Sequence, residues 1–329
     1  MTSAISEHGL IAKYFAPLAA PGGLSLLDDA ACLVPKAGYE LVVTVDAVVA
    51  NVHFLASDSP RDIAFKALGV NVSDLAAKGA DPVGFLLTLG LEDNWRPEWV
   101  EEFSKGLAEA ALDWNCPLYG GDTVRANGAP FLSVTAFGET PVGKMVKRGT
   151  ARVGDRLCIS GTIGDGALGL SVALGDKSGW ISALDEDEKA FLLGRYRRPQ
   201  PRVELAATIR RFATAAMDVS DGLVGDLEKL LFASGVSAEV DLDLVPLSPA
   251  GITALKADEM CFERLVTGGD DYEILFAIDP GSMTAASIAA AAAGCVIHDI
   301  GAIVASGPRP LFRYKGKERC FSQSSFSHF

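Results

Sequence analysis

Apolar runs of two different periods alternate along this chain, and that alternation restricts its fold more than any other feature. Residues 39–49, YELVVTVDAVV, are β-branched and apolar enough to form a buried strand. Residues 60–79 instead place Ile63, Ala64, Ala67, Leu68, Leu75 and Ala76 at helical spacing between Pro60 and Gly79, a proline start and a glycine stop. A second helix is expected over about 97–112 behind Pro97. The strand CPLYG then runs into Gly120-Gly121-Asp122, and 130–139 is expected to be its antiparallel neighbour across an Asn127-Gly128 turn. The second half continues with a strand RLCIS, helices at 166–174 and about 185–194, a strand at Tyr272–Ile278, an alanine-rich helix at 282–293 and a final strand pair. Mixed alternation of this kind is the pattern of an α/β (α+β) protein. No fixed period repeats, which excludes a solenoid.

With 329 residues, 49% of them hydrophobic, the chain exceeds what one core usually holds, and two domains are expected. The glycine- and charge-rich KRGTARVGD separates two well-patterned halves, placing the boundary near Gly149, with domains over 1–148 and 149–329. A formal charge of −13 argues against nucleic acid and anionic membranes as partners. The first twenty residues lack a basic stretch leading into an apolar run, and no window is apolar enough to span a bilayer, so a soluble cytoplasmic protein is expected. The six cysteines are scattered singly without metal-ligand spacing, which disfavours zinc and structural disulfides.

Chemistry is concentrated in aspartates that stand beside glycines or at strand ends. Asp28-Asp29 lie in a loop, Thr44 and Asp46 share one face of a strand, and Asp74 follows Asn71 on the first long helix. Asp122 follows two glycines, and Asp218 and Asp221 flank Val219-Ser220 at a strand-to-helix turn. Each has a structural alternative: Asp74 can pair with Lys78, Asp218 or Ser220 can cap the next helix, and Asp122 can form a turn. Together they suit a hard cation such as Mg²⁺, which takes oxygen ligands while leaving room for water and phosphate.

Other nucleotide signatures are missing or weak. The chain has no GxxxxGK[ST] loop and no kinase HRD and DFG pair. Gly164–Gly169 matches GxGxxG between a strand and a helix, yet Asp185 and Glu186, about twenty residues on, do not end a second strand as a dinucleotide site requires. Of the four histidines only His53, seven residues after Asp46, is close to the carboxylates.

The segments DDAACL (28–33), VTVDAVVANVHF (43–54), ALGVNVSDLAAKGADP (67–82), YGGDT (119–123), DVSDGL (218–223) and GGDDYEILF (268–276) resemble the thiamine-monophosphate kinase family. That family lies within the aminoimidazole-ribonucleotide synthetase-like superfamily, and the matching blocks run in order to the terminal FSHF. The resemblance implies a two-domain fold whose N-terminal sheets pair across a homodimer, and ATP-dependent phosphorylation of thiamine monophosphate to thiamine diphosphate. It assigns Mg²⁺ ligands to Asp28, Asp29, Thr44, Asp46, Asp74, Asp122, Asp218 and Asp221, and ATP contacts to Gly121, Arg148 and Ser220, with Asp46, Asp122 and Arg148 at the transfer itself. Substrate contacts fall on His53, Asp270 and Phe326. The chain departs from the family at Leu27, where glycine is usual, at Val45, where a hydroxyl is common, at Asp270 in place of glutamate, and at Phe326. Rival readings are a selenophosphate synthetase-like or cyclo-ligase-like enzyme, a silent nucleotide-binding protein, and a nicotinamide-dependent oxidoreductase resting on Gly164–Gly169.

Overall fold

A computed structural model describes residues 6–305, 307 and 309–325, so Phe326 lies outside the described residues. The chain divides into two compact units, one of Met1–Leu75 with Asp81–Gly143, the other of Ala76–Ala80 with Lys144–Phe329.

The first unit contains a short helix α1 (Glu7–Leu10), strand β1 (Tyr39–Val49), helix α2 (Pro60–Ala77, its end counted with the second unit), β2 (Asp81–Leu91), α3 (Pro97–Asp113), β3 (Leu118–Arg125) and β4 (Phe131–Pro141). Its sheet has the order β1-β4-β2-β3. β4 lies antiparallel between β1 and β2, while β3 runs parallel to β2. This corrects the expected hairpin of β3 and β4 across Asn127-Gly128. The Ala126 N–H donates to Leu91 O, so the chain follows β2 to its end before crossing it to reach β4. A parallel partner for β2 is what the intervening helix α3 permits, since parallel strands need a crossover. Helix α2 also differs from a one-sided amphipathic helix: Lys66, Asn71 and Ser73 are buried along with its apolar stripe.

The second unit comprises β5 (Arg156–Ser160), α4 (Asp165–Ala173), α5 (Glu186–Arg197), α6 (Ala206–Phe212), β6 (Ala213–Val219), α7 (Leu223–Ser234), β7 (Ser237–Asp241), α8 (Pro249–Ala257), α9 (Cys261–Thr267), β8 (Glu273–Ile278), α10 (Met283–Ala292), β9 (Ile297–Val304), β10 (Leu311–Tyr314) and β11 (Lys317–Arg319). The strands form one mixed sheet in the order β11-β10-β7-β9-β5-β8-β6. Alternation along β5 sends Leu157 and Ile159 into a core with α7, and Cys158 into a second core with α6 and α10. β8 is buried along its whole length, which is why EILFAI reads as a continuous apolar run. Among the described residues no helix is long and apolar enough to cross a membrane, and all six cysteines are free.

Candidate active site

The first unit's candidate residues fall into two groups. On β1, Thr44 and Asp46 point toward α2: Thr44 Oγ1 donates to Asp74 Oδ2 at 2.5 Å, and the Asp46 N–H donates to Asn71 Oδ1 at 3.0 Å. Asn71 is fixed in turn by donating to Ala67 O one helical turn back. The Asp46 backbone is therefore held by Asn71. In the turn after β1, His53 Nδ1 accepts from the Val49 N–H at 3.1 Å, so the neutral ring keeps its proton on Nε2.

The second group lines a cleft of about 570 Å³. Asp28 and Asp29 stand at one side, Gly121 and Asp122 at another, and Ile11, Phe15, Leu26, Leu33, Leu86 and Phe137 supply apolar wall. The segment leading to Asp28-Asp29 is tied to β3 by the Ala20 N–H donating to Leu118 O, and the loop is closed on itself by the Cys32 N–H donating to Gly22 O. It reaches the acidic pair through Leu24, Ser25 and Leu26, all left-handed at φ 51, 58 and 55°, a costly run for residues with side chains. Glycine is required at 121, where a Cβ would strike Leu87 O of the neighbouring strand.

In the second unit Asp218, Ser220 and Asp221 sit at the end of β6. The N–H groups of Ser220 and Asp221 both donate to Asp226 Oδ2, at 3.0 and 2.9 Å. Lys229 bridges Asp221 at 2.5 Å and Asp226 at 2.8 Å. Burial pushes the Asp226 carboxyl above its ordinary value, against the pull of Lys229. Sequence reasoning missed this pair, although two charges three apart in the apolar LVGDLEKLLF were a visible sign of a buried contact. Neither Asp218 nor Ser220 caps α7, whose N-cap is Gly222 without a side-chain bond. Arg148 is exposed in a segment tied to β6 and α7, where Thr150 Oγ1 donates to Thr214 O and Ser234 Oγ donates to Arg148 O.

The loop 268–272 joins the β6 end: the Asp270 N–H donates to Ser220 O and the Tyr272 N–H to Val219 O, at 2.9 and 2.8 Å. The next residue, Asp271, settles the GxGxxG question. Its carboxylate accepts from the N–H groups of Gly164 and Gly166, at 2.7 and 3.0 Å. The start of α4 that a dinucleotide phosphate would occupy is already filled by the protein's own carboxyl group. Beneath it Glu273 is fully buried, accepting from Ser160 Oγ at 2.7 Å, from Arg195 Nη2 at 2.9 Å and from Arg202 Nε at 2.7 Å.

Among the described residues no three acidic, histidine or cysteine side chains form a ready-made metal cage. The donor set nevertheless fits Mg²⁺, which typically takes one or two carboxylates and fills its remaining positions with water and phosphate oxygens. Asp28, Asp29 and Asp122, exposed at the cleft, are such carboxylates.

Comparison with known proteins bears on what this set serves. Residues 27–140 match the family AIR synthase related protein, N-terminal domain, and 152–308 the corresponding C-terminal domain. The thiamine-monophosphate kinase of Caulobacter vibrioides is 42% identical over 98% of this chain and 91% of its own length. The chain belongs to the thiamine-monophosphate kinase family. Solved structures of the family agree in fold: that of the Stenotrophomonas maltophilia K279a thiamine-monophosphate kinase is 36% identical with a TM-score of 0.80, covering 89% of this chain and 91% of its own. AaThiL, complexed with AMPPCP and TMP, is 30% identical with a TM-score of 0.78, covering 99% of this chain and 97% of its own. With the Gly164 and Gly166 N–H groups taken by Asp271, the oxidoreductase reading is left without a site.

Proposed function

We propose that this protein transfers the γ-phosphoryl group of ATP to thiamine monophosphate, releasing thiamine diphosphate and ADP. The observation that carries the reading is the near-full-length likeness to AaThiL, which was solved with AMPPCP and TMP together. The cleft beside β3 adds chemical support, since an apolar wall and rim carboxylates in one pocket suit a nucleotide base and a metal-bound phosphate tail.

In this reading a phosphate oxygen of thiamine monophosphate attacks the γ-phosphorus in line, and the bond to the β–γ bridging oxygen breaks as ADP leaves. The acceptor's second pKa is near ~6, so it is largely ionised at neutral pH and no general base is needed. The obstacle is repulsion between polyanions, about 1 kcal/mol for each pair of unit charges ~4 Å apart even in water and more in a cleft. Mg²⁺ supplies the neutralising charge that lets the two phosphates meet. Asp28, Asp29, Thr44, Asp46, Asp74, Asp122, Asp218 and Asp221 are its proposed ligands. Asp46 and Asp122 are the ones nearest the transfer, and Arg148 adds a fixed positive charge there. Gly121 and Ser220 approach ATP through their backbones. His53 and Asp270 contact the thiamine substrate, as Phe326 does in the reading by resemblance.

The same reading makes the protein a homodimer joined through its N-terminal sheets, and places it in the cytoplasm, where thiols stay reduced. Leu41, Val43 and Val45 support the dimer, because they leave an apolar stripe on β1 exposed, Val43 by 56% and Val45 by 60%.

The test is ADP release with ATP and Mg²⁺ in the presence of thiamine monophosphate, free thiamine or no acceptor, with thiamine diphosphate identified by chromatography. Turnover with the monophosphate alone is expected, falling by about a thousandfold or more in Asp122→Asn with its circular dichroism unchanged. Turnover with free thiamine, or none with the monophosphate, overturns the assignment.

A further inference from the structure

Asp221, a proposed Mg²⁺ ligand, already holds a cation of the protein's own: Lys229 Nζ donates to its Oδ2 at 2.5 Å. Both side chains are partly exposed, so the pair is open to ions from solution. The same ammonium donates at 2.8 Å to Oδ1 of Asp226, whose side chain is buried. Lys229 is thus shared between a buried carboxyl three residues back on its own helix and an accessible one on the turn before it. The turn does not need the lysine for its shape. Asp226 Oδ2 accepts the N–H groups of Ser220 and Asp221, the Asp226 N–H donates to Gly222 O at 2.9 Å, and the Asp270 N–H donates to Ser220 O. Gly222, at φ 120°, is packed so closely that a Cβ there would strike Thr267 O. The backbone is fixed by contacts that leave the ammonium out, and Asp226 gives that charge a place to remain when it lets go of Asp221.

We propose that Lys229 is a built-in counterion that competes with Mg²⁺ for Asp221 and thereby sets the metal concentration the protein requires. The inference rests on the reading of Asp221 as a metal ligand. An ammonium in contact with the carboxylate oxygen fills a position that a divalent ion would use and repels that ion as well. Release leaves Lys229 paired with Asp226, so no buried charge is stranded. In the metal-free protein the lysine stands between two carboxyls and offsets their repulsion, which keeps the turn ready for a cation.

The experiment titrates Mg²⁺ into the purified full-length protein at a fixed, saturating concentration of the non-hydrolysable ATP analogue AMPPCP and follows the melting temperature, which reports binding without turnover. Lys229→Met is expected to lower the Mg²⁺ concentration at half effect about fivefold or more at low ionic strength, and by less in high salt. Lys229→Arg, which keeps the charge, is expected to stay within about twofold of the parent. On an Asp221→Asn background Lys229→Met is expected to do little further, the non-additivity of two groups in direct contact. Lys229→Gln, which keeps a donor for Asp226, carries the same expectation as Lys229→Met if the latter does not fold. An unchanged or raised Mg²⁺ requirement overturns the competition, and so do equal effects with and without Asp221. Asp221→Asn with the parent's Mg²⁺ requirement removes the ligand on which the inference rests. A parent that does not respond to Mg²⁺ and AMPPCP overturns the proposed function itself.

Discussion

Arg195 is only 3% exposed, and its charge is answered by Glu273 at 2.9 Å and approached by Asp165 at 4.0 Å, both fully buried. Its Nη2 also donates to Asp271 O, while Nη1 is buried with no hydrogen-bond partner. A buried pair of this kind gains little over apolar packing, but removing one partner strands the other in a low dielectric. Arg195→Met is therefore expected to lower stability by about 3–5 kcal/mol, read as a shifted urea midpoint with an unchanged slope. A shift below about 1 kcal/mol would mean that Arg202 alone satisfies Glu273. None of this was legible in the sequence. Arg195 and Asp271 stand 76 positions apart, on a helix that reads as polar and in a motif that reads as catalytic. The aspartates beside glycines were legible for the opposite reason, because charge beside a glycine at a strand end needs no distant partner to be recognised. Leu27 is 87% exposed, and nothing in the structure explains why leucine stands where the family usually has glycine.

At the scale of elements, apolar runs with their proline and glycine ends located β1, α2, α3, α5 and α10 closely. It did not yield β2, whose start is broken by Pro82 and Gly84 and whose remainder is apolar without alternation. Pairing was less legible than existence: the chain bends at Asn127-Gly128, with Gly128 at φ 144°, but a bend does not say which strand the chain joins. The GxGxxG match fails at this scale too, through the Asp271 carboxyl that accepts from the first N–H groups of α4. Burial, and then the Asp165 charge, push the Asp271 carboxyl well above its ordinary 3.8, outweighing the Gly164 and Gly166 N–H groups and Arg195. With a raised folded-state value, the native protein binds more protons than the unfolded chain above pH 3.8, so this group's contribution to stability is complete in acid and lost as pH rises through the raised value. Asp271→Asn, which cannot titrate, is expected to cost most near about pH 4 and progressively less toward about pH 7, measured as the difference in melting temperature from the parent. A gap that widens with pH would mean that the carboxylate is ionised throughout and that α4 prefers the charge.

For the whole molecule, the exposed face of the first sheet is the feature that an isolated chain leaves unexplained. Leu41, Val43 and Val45 project from β1 on the side opposite Thr44 and Asp46, so the strand offers carboxylate chemistry on one face and bare aliphatic surface on the other. In register, Val43 lies opposite Phe137 and Val45 opposite Thr135, and both of those β4 residues line the cleft. The aliphatic stripe therefore lies on the same face of the sheet as these cleft residues, and a second copy laid over it would shelter the side of the pocket proposed for the nucleotide as well as the valines. An exposed stripe on an edge strand invites association unless something covers it. Val45→Asp places a charge in the middle of that stripe without disturbing the Thr44–Asp74 contact on the other face. It is expected to convert a dimer to monomer in sedimentation velocity, and to raise KM for ATP by about tenfold as the pocket loses its cover, with little change in the far-ultraviolet spectrum. A parent protein that sediments as a monomer with full activity would remove the dimer from the mechanism. A monomeric Val45→Asp with an unchanged KM would keep the dimer and confine its role to protecting the sheet.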